Sequence, residues 1–441
     1  MDQVTLARAL FGSSMAFHII FATLGVGVPL MIAAAETLFQ IKKDKDYETM
    51  AKRWTKGFAV LLGVAIPSGT IVGTMLTLLW PGFMEIVGQV IALPFQIEIF
   101  AFFLEALFMS IYVYAADRLS PGMRILSVTL VALGASASAV LITDAQAWMN
   151  TPQGFRYDNG VVTDVHPWQA FFNPSFFVTA GHVLVSAYMT GAFAIASIGA
   201  YQLLRGRHSE RVFAYHRKGL FLGLAIGGIM SLLTALNGHE TAQMLHKHQP
   251  EKLAASEGLF HTTAYAPLVV FGTPDPEVGE VVGGIKLPWM LSFLATNRFD
   301  GVVKGLYDYP REDWPPLYVH TLFNLMVGIG TLLIGYALLA VLYRYIRKRP
   351  FPRWLLLLFL TGGPLAMIGI ETGWIFSCSA RQPWTIYHIQ RTSEAAIKSG
   401  NLGMLFVLFL SIYAVLLVLT VLVLTFYFRR HPVSAVLDKT T

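Results

Sequence analysis

Nine long apolar runs punctuate the chain, near residues 13–36, 56–79, 94–115, 123–147, 173–203, 218–236, 319–343, 354–377 and 402–428, and this pattern leaves few folds open to it. A helix needs about 20 apolar residues to cross a hydrocarbon core, and a backbone in lipid must satisfy its polar groups within the segment. The pattern predicts an all-α polytopic bundle of about nine transmembrane helices, with a long outer-face loop between helices 6 and 7. Three parts follow in order: helices 1–6 over residues 1–236, the loop over 237–317, and helices 7–9 over 318–441. Composition agrees, since only 13% of residues are charged against about 25% in soluble domains. The first run has neither a basic leader nor a small-residue cleavage site, so it reads as a retained helix.

Basic residues give an orientation. Of the 32 Lys and Arg, 21 lie in the loops after helices 1, 3, 5 and 7 and in the C-terminal tail, Arg207 and Lys439 among them. Cytoplasmic loops carry such an excess, which puts the N-terminus outside and the C-terminus inside. The net charge of +6 is then a topology signal, with no patch suited to nucleic acid.

Against this apolar background the rare polar residues stand out, because ionisable groups are costly in lipid and mark built sites. His18, Glu98, His182 and Met326 fall early in helices 1, 3, 5 and 7, and Trp374 and Cys378 fall at the outer end of helix 8. At 1.5 Å per residue all six share one leaflet. Glu98 and Glu105 are seven apart, two turns on one face of helix 3, as a proton relay requires; pairing with Arg or Lys from a neighbouring helix is the alternative. Asp144 on helix 4 is a weaker relay candidate. A single cysteine excludes disulfide frameworks and Cys-rich metal sites, leaving His, Met and carboxylate to hold any cofactor. His182 with Met326 would suit a six-coordinate low-spin haem, although each residue alone is more often core.

The loop over 237–317 is too long to be a simple connector. Its run Gln249-Pro250-Glu251-Lys252-Leu253-Ala254-Ala255-Ser256-Glu257-Gly258-Leu259 reads as a short amphipathic helix on the outer surface. Lys252 and Glu257 bracket it. A cation and a carboxyl so placed could hydrogen bond the two oxygens of a quinol ring; an exposed charge pair is the plainer alternative.

Taken together, His18, Gly181-His182, the 249–258 stretch, Met326-Val327-Gly328, and Gly373-Trp374 followed by Arg381-Gln382-Pro383-Trp384 resemble subunit I of the cytochrome bd-type quinol oxidases, over nearly the whole chain. The resemblance implies that His182 and Met326 are axial ligands of a low-spin b haem and that His18 ligates one of one or two further high-spin haems, of b or d type. It implies that Glu98 lies near that centre, Glu105 near proton entry, and Trp374 between the haems, and that Lys252 and Glu257 bind quinol. The implied activity is a terminal respiratory oxidase in the bacterial plasma membrane. Quinol is oxidised at the outer face, electrons pass through the low-spin haem to the high-spin site, oxygen is reduced to water, and charge is separated without a pump. Implied partners are a second integral subunit, a small single-helix subunit, and membrane lipid.

One departure bears on the chemistry. Four residues after the Trp of this motif the family carries a Glu that ligates a high-spin haem, and here that position is Cys378. A thiolate also ligates haem, whereas a buried neutral thiol is a poor ligand. Glu371, seven residues earlier on the same face, is a substitute, and a site lacking haem d is a further expectation. Asn324 and His239 are smaller departures that abolish no ligand. Two other readings compete: a haem-bearing reductase or electron-transfer subunit with another acceptor, and a secondary transporter, although the sequence shows no inverted repeat.

Overall fold

The structure, a computed structural model, describes residues 2–206, 209–398 and 400–437; Arg207 and Lys439 lie outside the described residues. Among them, nine helices are long and apolar enough to cross a membrane. They are α1 (Gln3–Lys42), α2 (Lys45–Leu79), α3 (Ala92–Ala115), α4 (Pro121–Asn150), α5 (Phe176–Arg205), α6 (Glu210–His248), α7 (Val319–Arg347), α8 (Arg353–Ser379) and α9 (Leu402–Arg430). α8 is made of two segments, Arg353–Leu360 and Gly362–Ser379, that meet at Thr361.

Each apolar run overlaps one of these helices, and the differences lie at the ends. The apolar signal of α6 stops at 236, yet the helix continues to His248. Its polar last turns are held by partners in place of lipid: the Thr241 hydroxyl donates to the Asn237 carbonyl (2.9 Å), and Gln243 Nε2 donates to Asn297 Oδ1 (3.1 Å). Residues 237–248 therefore belong to α6 and not to the loop.

The run at 249–259 forms the helix Pro250–Glu257, started by Pro250 and ended by Gly258 in the left-handed region (φ 65°). It does not lie on a surface. Every residue from Glu251 to Glu257 is buried, and Ala254 and Ala255 pack with Phe260, Leu306, Val319 and Phe376. Small alanines let the helix sit under the rest of the loop, so Lys252 and Glu257 are not an exposed pair. Around it the loop adds short antiparallel ribbons, Leu268–Val270 with Ile285–Leu287 and Thr273–Asp275 with Glu280–Val282.

Close helix contacts rest on small residues, as expected where lipid gives no hydrophobic drive to association. A Cβ at Gly134 of α4 would stand 2.8 Å from the Glu105 backbone nitrogen, so only glycine allows α3 this near. Gly27 of α1 and Gly191 of α5 touch backbone to backbone in the same way.

One end of the bundle is ionic. Arg124 Nε meets Glu36 Oε1 at 2.9 Å and its Nη1 meets Glu48 at 3.3 Å, while the Tyr112 hydroxyl donates to Glu36 Oε2 (2.7 Å). Glu36 has no exposure at all. Breaking a buried pair strands the other charge, at about 3–5 kcal/mol. Arg124→Leu is expected to lower stability by about that amount, measured as an earlier unfolding transition in detergent, whereas Lys52→Leu at the exposed pair with Asp117 changes it by about 0–1 kcal/mol.

Candidate functional site

The two histidines carry the clearest geometry. His182 on α5 has Nδ1 2.8 Å from Asn237 Oδ1, and the same Asn237 donates Nδ2 to the Val178 carbonyl at 3.1 Å. That second bond fixes the amide so that Oδ1 faces the ring and can only accept. Nδ1 therefore carries the proton and the Nε2 lone pair is free. His18 on α1 repeats the arrangement: the Ser68 hydroxyl of α2 donates to the Ala65 carbonyl (3.0 Å), so it accepts from His18 Nδ1 (2.9 Å). A ring oriented and set to one tautomer by its far nitrogen is what a metal-binding imidazole requires.

Met326 on α7 packs against α8. A Cβ at Gly373 would come 2.9 Å from its sulfur, so the glycine before Trp374 makes room for the thioether. Among the described residues no three His, Cys, Asp or Glu side chains gather into a metal cluster. A porphyrin-held iron needs only one or two protein ligands, and the donors here, two imidazoles and a thioether, fit that case.

Lys252 joins two distant stretches. Its ammonium donates to Asn150 Oδ1 on α4 (3.1 Å) and to the Ser377 carbonyl on α8 (3.4 Å), beside Cys378, and lies 5.8 Å from the centre of the Phe376 ring. Burial, with Arg381 nearby, pulls its pKa down to about 7, and burial pushes Glu257 up to about 8. Glu251 is held below the usual range, burial notwithstanding, by hydrogen bonds from His388 and Tyr387.

Four residues escaped the sequence reading as site residues: Gln249, Arg381, Asn237 and Ser68. Gln249 is fully buried with neither amide atom paired, at the start of the Lys252 helix. Arg381 is buried with Nε and Nη1 unpaired. A buried guanidinium with unmet donors is costly unless an anion meets it, and the carboxylates of a haem have the matching chemistry. Asn237 and Ser68 are the orienting partners. Their only sequence signal is a polar residue in an apolar run.

The carboxylates of α3 face α4. The Ser138 hydroxyl donates to Glu98 Oε1 at 2.5 Å, and Glu105 is buried against Gly134. Neither forms an ion pair among the described residues. Asp144 is fully buried and accepts from Asn173 Nδ2 (2.9 Å). Trp374 is half-buried, Cys378 is an exposed free thiol, and Glu371 has a buried, unpaired Oε1. No hydrogen bond or ion pair among the described residues joins His18, the Glu98–Glu105 face and Cys378 to one another. Asn324 Oδ1 accepts from the Phe271 amide (3.0 Å), and His239 Nε2 hydrogen bonds Asn297 Oδ1 (2.8 Å).

The chain is similar to known proteins over nearly its full length. Residues 6–432 match the family model described as cytochrome bd terminal oxidase subunit I. A Bacillus subtilis (strain 168) protein provisionally named cytochrome bd menaquinol oxidase subunit I is 62% identical over 98% of both chains. A second protein of that organism, cytochrome bd ubiquinol oxidase subunit 1, is 30% identical over 98% of this chain and 94% of its own. The solved structure of bd oxidase from Geobacillus thermodenitrificans superposes with a TM-score of 0.93 at 44% identity, over 98% of this chain and 99% of that one. With nine long apolar helices among its described residues and a match across almost its full length, the chain belongs to the cytochrome bd terminal oxidase subunit I family.

Proposed function

We propose that the chain oxidises quinol at the loop end of the bundle and delivers the electrons to a high-spin haem site that reduces oxygen to water, working beside a second integral subunit. The observation that carries this reading is the pair of imidazoles with bare Nε2 atoms, His182 locked by Asn237 and His18 by Ser68. His182 and Met326 would hold a low-spin b haem, and His18 a high-spin one; bound haem supplies one-electron carriers and the centre at which oxygen is reduced. The basic end of the bundle, with its concentration of Lys and Arg, faces the cytoplasm. The first relative's name favours menaquinol as the donor.

The residues divide the work. Lys252 and Glu257, with the unpaired amide of Gln249, would take the two ring oxygens of the quinol. A neutral Lys252 above about pH 7, and an ionised Glu257 above about pH 8, can each accept a proton that leaves the ring. Arg381 would bind haem carboxylates and keep Lys252 depressed. Glu98 and Glu105 would pass protons along α3 toward the high-spin centre, with Ser138 holding Glu98 in place. Trp374, beside the Met326 contact, would fill the space between the haems.

At the departing position we assign Cys378 as the residue facing the high-spin centre. A second reading has its own support, because Glu371 keeps a buried, unpaired carboxyl oxygen on the same helix. The altered ligand set fits a site built without haem d.

Three measurements check this reading. His182→Ala removes the low-spin band in reduced-minus-oxidised spectra and leaves the high-spin signals, while Asn237→Leu shifts that band by freeing the ring; a protein with no haem at all would overturn these ligand assignments. Quinol-driven oxygen uptake rises with pH through about 7 and again through about 8. Lys252→Met abolishes the first rise and Glu257→Gln the second. Cys378→Ser changes the high-spin signals and Glu371→Gln does not; the reverse result assigns Glu371 as the ligand.

A further inference from the structure

At the basic end of the bundle four cations sit against carboxylates. Arg124 meets Glu36 and Glu48, Lys52 meets Glu48 and Asp117, Arg211 meets Asp46, and Lys218 meets Asp44 and Asp46. The corner between α6 and the α7–α8 turn is built otherwise. Lys348, in the left-handed region (φ 51°), closes α7 by donating its backbone N–H to the Arg344 carbonyl (3.2 Å). The turn then brings Arg344, Lys348 and Arg349 around a cavity of about 390 Å³ that Arg217 of α6 also lines. None of these four has an ion pair among the described residues. The wall beneath them is aromatic, with Phe221 and Phe351 ring centres 5.1 Å apart.

We propose that this corner binds the phosphate of an anionic membrane phospholipid. Four unmatched like charges around one cavity repel one another until an anion lies among them, and basic pockets between membrane helices suit anionic head groups. The apolar surface beside the cavity selects a lipid over a free ion. Leu338, Val341 and Tyr345 recur at i, i+3 and i+7 along α7, all exposed, and lead up to Lys348. Acyl chains would lie along that face while Arg217, Arg344, Lys348 and Arg349 hold the phosphate. A zwitterionic lipid brings its own cation into the cluster and is disfavoured there.

The test uses the intact oxidase in nanodiscs of phosphatidylcholine with and without phosphatidylglycerol, with retained lipid read by native mass spectrometry. Wild type keeps a phosphatidylglycerol through detergent exchange. The double variant Arg344→Gln/Lys348→Gln binds it about thirtyfold more weakly, and the single variant Arg349→Gln about fivefold. Arg53→Gln, which removes a cation bonded to the His431 carbonyl elsewhere at this end, leaves retention unchanged. Unaltered haem spectra and oxygen uptake in the variants establish that they are folded. Equal retention by wild type and variants, equal retention of phosphatidylcholine, or displacement of the lipid by inorganic phosphate at matched concentration each overturns the proposal.

Discussion

Inside a hydrocarbon slab a polar atom has no water to turn to, and most of what this chain does with its polar residues follows from that. Its backbone closes its hydrogen bonds within helices, and small residues such as Gly27, Gly134 and Gly191 let those helices approach until side chains can pair across them. Glu36 and Arg124 neutralise each other at one end. Asn237 and Ser68 each take one ring nitrogen, of His182 and His18 respectively. The partner fixes the tautomer, and the tautomer decides which nitrogen can act as a ligand.

The same scarcity of partners explains the loop end. Lys252 finds its acceptors on two different helices, Asn150 of α4 and the Ser377 carbonyl of α8. This contact ties the 249–258 segment to the stretch that carries Trp374, Cys378 and Arg381. In the reading proposed above, electron entry and oxygen reduction therefore share one wall. A displaced lysine would disturb both the quinol pocket and the surroundings of Cys378.

On the far side of the layer, Glu98 and Glu105 have no countercharge among the described residues. Their neighbours are a hydroxyl and the close backbone of Gly134. A carboxyl in that setting exchanges a proton more readily than one held by an arginine. Glu36, clamped by Arg124 and Tyr112, is the contrasting case within the same bundle, and it serves structure.

How much of this was legible in the sequence depends on how local the cause was. Lipid imposes length and apolar content on each crossing segment separately, so all nine helices could be read from composition along the chain, as could the expense of His18, Glu98 and His182. The family resemblance rested on His18 and Gly181-His182 together with the 249–258 stretch, Met326-Val327-Gly328, Gly373-Trp374 and Arg381-Gln382-Pro383-Trp384. What could not be read was partnership. Ser68 lies 50 residues from His18, and Asn237 lies 55 from His182. Nothing in either neighbourhood announces the pairing, because it depends on which helix faces which. The burial of the 250–257 helix, the extension of α6 to His248 and the unpaired guanidinium of Arg381 have the same origin: each depends on what the rest of the fold places against it. The sequence by itself determined which residues are too costly to be in a membrane without a purpose; only the tertiary structure decided which atoms meet them, since that choice is made by packing between segments far apart in the chain.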